Sequence, residues 1–150
     1  MAIFTDYQGF YNAAKNGSIN LLRSYVSAGA NVHADNDLAL RYAADFGQTE
    51  SVEFLLRHGA YIHAANDAAL RWSAFFGDTA TVCLLLSKGA GTKKTKVESM
   101  CNAVLQNHYD TVELFLQNGV DPNSDGGLAF QWAKRYNYLK IVELLESYVN

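Results

Sequence analysis

The residues able to do chemistry recur at a fixed interval. His33 and His63 lie 30 residues apart, and so do Asp37 and Asp67. Imidazoles could ligate a metal, but only two share this register and no third donor accompanies them, so a structural role in their loops is expected. Asp37 and Asp67 could be paired carboxylates; N-caps of two successive helices account for them better. Cys101 and His108 could be a nucleophile and its base. Asn107 breaks the helical pattern between them, however, and nothing orients the pair. Cys83 shares a register with Glu53, Glu113 and Glu143 and is expected to be a partly exposed thiol on an outer helix face. Gly-rich phosphate loops, Cys-x-x-Cys and His-Glu-x-x-His are absent. Neither catalysis nor a cofactor or metal is expected.

Charge offers one further candidate. Lys88, Lys93, Lys94 and Lys96 gather in one loop, where equivalent loops carry Asp35 and Asp37, Asp67, or Asp121 and Asp125. Solvated surface is the ordinary account of such a run. Its functional alternative is an anion or nucleic-acid contact. The interleaved aromatics that favour single-stranded nucleic acid are missing there.

The elements that must position these residues follow from the same interval. Gly29, Gly59, Gly89 and Gly119 stand 30 residues apart, as do Gly17, Gly47, Gly77, Asn107 and Asn137. Self-similarity at a fixed period is the mark of a repeat architecture. Each copy holds two apolar segments at helical spacing, such as Leu40, Ala43, Ala44 and then Val52, Leu55, Leu56. Between them stands glycine or asparagine, the residues best suited to the left-handed backbone that ends a helix. Ser18 and Asp78 are expected N-caps of second helices. After each Gly-Ala pair about seven residues lack helical period and are rich in turn formers, which predicts an extended, turn-like finger. The small Ala43, Ser73, Ala103 and Ala133 allow adjacent helix pairs to approach closely. Tyr42, Trp72 and Trp132 share a register and are expected to pack between repeats, with Arg41 and Arg71 stacked nearby. One helix pair cannot bury its apolar face alone, so the pairs must stack.

The whole chain is consistent with this. Its 150 residues are 49% hydrophobic and 18% charged, which bounds one ordered domain, 1–150. The repeat units fall at about 6–36, 37–66, 67–96, 97–126 and 127–150. A net charge of −3 points to no polyanionic partner, and two cysteines make no disulfide framework. Neither a secretory leader nor a membrane-length apolar run is visible. A cytoplasmic location is therefore expected, with the chain a monomer or weakly self-associating.

The register Ala43-Ala44, Gly47, Val52, Leu55-Leu56, Gly59-Ala60, repeated 30 residues later, resembles the ankyrin repeat. The resemblance covers roughly residues 8 to 148. It departs where Leu38-Ala-Leu-Arg41 and Ala68-Ala-Leu-Arg71 replace the usual Thr-Pro-Leu-His, and in having a period of 30 where the family usually has 33. The missing residues fall in the fingers, which should be stubby. The Asn-Asp-x-Ala-Leu-Arg form looks like the short ankyrin repeats of large DNA viruses and some phages. The resemblance implies an all-α, ankyrin-type solenoid of five stacked helix pairs, acting as a non-catalytic protein-binding module. It also implies a partner face at the positions before each break residue: Lys15 and Asn16, Asp45 and Phe46, Phe75 and Phe76, Leu105 and Gln106, Arg135 and Tyr136. A viral source would make that partner a host protein, met in the host cytoplasm.

Overall fold

The computed structural model describes residues 4–149. They form, in order, α1 (Tyr7–Lys15), α2 (Ile19–Ser27), α3 (Ala34–Asp45), α4 (Thr49–Arg57), α5 (Ala64–Phe76), α6 (Thr79–Ser87), α7 (Lys93–Leu105), α8 (Tyr109–Gln117), α9 (Ser124–Arg135) and α10 (Leu139–Ser147). There is no strand among the described residues. The fold is thus all-α, as the helical periods require. The chain divides into two compact units, residues 1–69 and 70–150, with the boundary inside α5.

In the first unit α1 packs on α2 and α3, and α4 packs on α2 and α3. Phe10, Leu22, Leu40, Val52 and Leu55 are wholly enclosed there. In the second unit α8 packs on α6, α7 and α10, and α9 packs on α7 and α10. Its enclosed residues include Leu85, Met100, Phe115, Ile141 and Leu145. Each such side chain contributes about 1.5–3 kcal/mol through burial. Ala43, Ser73, Ala103 and Ala133 are all fully buried, as close helix approach demands.

The five break residues all take left-handed backbone, with φ of 71° at Gly17, 66° at Gly47, 73° at Gly77, 61° at Asn107 and 58° at Asn137. Asp78 caps α6 by accepting from the Thr81 N–H at 3.3 Å. Ser18 stands at the N-cap of α2, but its hydroxyl makes no capping bond.

The fingers hold the main surprise. Asp35, Asn36 and Asp37 are consecutively left-handed, with φ of 50°, 58° and 55°. Ala65, Asn66 and Asp67 repeat this geometry, and so do Asp125, Gly126 and Gly127. A shortened finger must redirect the chain within few residues, and a left-handed turn does so. The turn closes through Asp37 N–H to the His33 carbonyl at 3.3 Å, with equivalents from Asp67 to His63 and from Gly127 to Asn123. Its outward carbonyls are held in turn. Arg41 donates from Nε to the Asn36 oxygen at 3.0 Å and from Nη2 to the Asp35 oxygen at 2.8 Å. Gln131 does the same for Gly126. Arg41 therefore braces the finger instead of stacking on an aromatic ring.

Asp37 is accordingly not an N-cap, and Asp67 shares its left-handed backbone. Asp37 is buried, and its Oδ1 accepts the Tyr61 N–H at 2.7 Å, 24 residues along the chain, with His33 Nδ1 at 3.1 Å. A left-handed backbone at the cap position turns the carboxylate away from the helix and toward the next finger. Asp35 accepts from the Tyr11 hydroxyl at 2.7 Å. The fourth repeat lacks the left-handed triplet. Thr92 caps α7 there by accepting from the Thr95 N–H at 3.2 Å, and the right-handed helix begins at once with Lys93.

Candidate docking surface

The last-turn carbonyls of a helix have no intrahelical partner. In the second unit the following repeat supplies one. His108, the N-cap of α8, sets Nε2 3.0 Å from the Phe75 oxygen near the end of α5. Tyr138, the N-cap of α10, sets its hydroxyl 3.5 Å from the Leu105 oxygen at the end of α7. Both contacts span 33 residues. They align three helix ends in sequence: Phe75 and Phe76, then Leu105 and Gln106, then Arg135 and Tyr136.

Aromatic rings dominate this row. Trp72 stacks on Phe76 with centroids 6.1 Å apart, and Phe75 meets both rings edge-on at 5.8 and 5.2 Å. Phe76 is 54% exposed and Trp72 is 46% exposed, while Phe75 is half-buried. Trp72 thus departs from the packing role expected of it. It stands four residues before Phe76 on one helix, so both share a face; that spacing was the available signal. Tyr42, its counterpart in register, does pack, meeting Tyr11 edge-on at 6.4 Å. Leu105 is half-buried, while Gln106, Arg135 and Tyr136 are exposed. Tyr136 stacks on Tyr138 at 5.8 Å.

The first unit presents the same register differently. Phe46 is 47% exposed, but Lys15 Nζ sits over its ring at 4.4 Å. Asp45 is half-buried, and desolvation raises its carboxyl pKa against the opposing pull of Lys15.

The lysines do not form a finger. Lys88 is the C-cap of α6, whereas Lys93, Lys94 and Lys96 make up the first turn of α7. The missing left-handed triplet is the reason, because it lets the right-handed helix start earlier. Lys94 pairs with Glu98 at 3.7 Å. Lys93 and Lys94 share one shallow cleft with Asp125, and Lys93 and Lys96 share another with Asp121. Of the four lysines only Lys94 forms an ion pair among the described residues, and the carboxylates of Glu98, Asp121 and Asp125 line the same clefts, which weakens the anion reading.

The remaining candidates resolve into structural roles. His33 and His63 hold Asp37 and Asp67, the second pair at 2.6 Å. Among the described residues no cluster of three or more His, Cys, Asp or Glu side chains could hold a metal ion. Cys101 is buried, and desolvation, aided by Asp125 and Glu98, pushes its thiol up to about 11. His108 Nε2 is engaged with the Phe75 carbonyl, and a thiol raised this far keeps its proton at neutral pH. Cys83 is exposed. Among the described residues no helix is long and apolar enough to cross a membrane.

The family model described as ankyrin repeats (3 copies) matches residues 10–98 and 70–150. The chain belongs to the ankyrin repeat family. No curated protein matches it. Ankyrin repeats are generally protein–protein interaction modules and typically non-catalytic scaffolds. The helix ends assembled above are therefore best weighed as a binding surface.

Proposed function

We propose that this ankyrin repeat protein docks a partner protein on the row of first-helix ends, with Trp72, Phe75 and Phe76 as the anchor. The exposed aromatic cluster carries the reading. Large aromatics left in water at a helix end are costly to solvate, and such residues dominate interface energetics. Leu105, Gln106, Arg135 and Tyr136 extend the surface, and Asp45 and Phe46 offer the equivalent positions of the first unit. Phe46 is the weaker contributor, because Lys15 already covers its ring. Repeats that hold their shape lose little ordering entropy on binding. The likeness to the short repeats of large DNA viruses and phages supports a host protein as the partner, blocked or redirected in the host cytoplasm.

The test compares wild type with Trp72→Ser/Phe76→Ser as immobilised bait in cell lysate. Both side chains are exposed, so the variant should keep its helical circular dichroism and lose less than about 1 kcal/mol of stability. Retention by wild type and loss by the folded variant is the expected result. Equal retention by both proteins would sink the reading.

A further inference from the structure

We propose that the segment docking on the second unit's row is acidic beside its apolar anchor, an inference that rests on the docking reading above. The whole chain carries a net charge of −3, yet its charges are unevenly placed. Between Gly126 and Leu139 the only charged residues are Lys134 and Arg135. Both are exposed, and neither joins an ion pair among the described residues. The middle of the row, from Asn102 to Tyr109, contains no carboxylate. The end of α9 itself carries a partial negative charge of only about half a unit, which two full cations exceed. This end of the row is therefore a positive edge, with the neutral Leu105–Gln106 helix end between it and the aromatic cluster of Trp72, Phe75 and Phe76.

Alternative homes for the two cations do not absorb them. Lys134 Nζ lies 5.6 Å from the Phe130 ring centroid, a contact that leaves its charge intact. Lys140 is different, since it shares an outer groove with Asp110, Glu113 and Glu143 and is locally balanced. Complementary potentials speed encounter and reject wrong partners, and an uncompensated basic edge rejects basic ones. Aromatic anchor and positive edge together select a segment that pairs a Leu, Phe or Trp with neighbouring Asp or Glu.

The experiment selects binders from a library of random displayed dodecapeptides on the full chain. Their affinities are then measured by fluorescence anisotropy for wild type, Lys134→Glu/Arg135→Glu and Trp72→Ser/Phe76→Ser. Lys134→Ala/Arg135→Ala serves as a milder variant should the reversal disturb folding. Selected peptides should combine an apolar residue with Asp or Glu, and each double variant should weaken them about tenfold or more. Peptides that need Trp72 and Phe76 but ignore the charge reversal would overturn the acidic partner and leave the docking reading standing. Failure to select any peptide, or binding unaffected by Trp72→Ser/Phe76→Ser, would overturn both. A labelled oligothymidylate bound by wild type and released by the charge reversal would overturn the proposal in favour of nucleic acid.

Discussion

At the scale of single residues, backbone handedness decides more than side-chain type. Ala65 sits at φ 50° in the left-handed region, where its counterpart Asp35 hydrogen-bonds Tyr11 through the side chain and Ala65 has no such group. A non-glycine residue there costs about 1–2 kcal/mol, and glycine returns about 0.5–1 kcal/mol of that as lost chain entropy. Ala65→Gly should therefore raise stability by about 0.5–1 kcal/mol in a chemical denaturation curve. Titration supplies a second prediction. The Cys101 thiol holds its proton to about 11 in the folded chain, and burial with the Asp35 hydrogen bond also raises the Tyr11 hydroxyl. The folded protein thus binds more protons than the unfolded chain above the ordinary thiol value of 9.0. Stability is whole below that pH and declines as pH climbs toward 11, with Cys101 contributing on the order of 1–2 kcal/mol. Melting curves across this range should show the decline, and Cys101→Ala should flatten it.

At the scale of elements, helix ends are the joints of the structure. The His108 ring both completes the end of α5 and fills the space beside Gly77, where a Cβ would lie 2.5 Å from its Nδ1. His108→Ala orphans the Phe75 carbonyl and should cost about 1 kcal/mol, read by thermal unfolding. Tyr138→Phe should cost less, because its contact at 3.5 Å is at the limit of a hydrogen bond. Break residues were legible in the sequence because glycine and asparagine report a left-handed backbone locally. The left-handed triplets were not, since Asp35-Asn36-Asp37 reads equally well as a turn followed by an N-cap. Only the tertiary partner Tyr61, whose N–H meets Asp37, tells the two apart.

For the molecule as a whole, stability follows burial within each unit: α2 encloses only Leu22 where α4 encloses four residues, and α9 encloses two where α7 encloses seven. Native-state hydrogen exchange should therefore be faster for amides of α2 than of α4 in the first unit, and of α9 than of α7 in the second, by at least about tenfold under conditions of local opening. Uniform exchange throughout would contradict that expectation. The sequence alone determined the five-fold recurrence, the helix pairs, the break residues and the small buried register, because each is a local consequence of period, backbone freedom or side-chain size. Which aromatic stays in water, which carbonyl His108 completes and where the lysines stand were decided by tertiary structure. Those outcomes depend on what fills the space beside each residue: Trp72 and Tyr42 share a register, yet one meets Tyr11 and the other meets solvent.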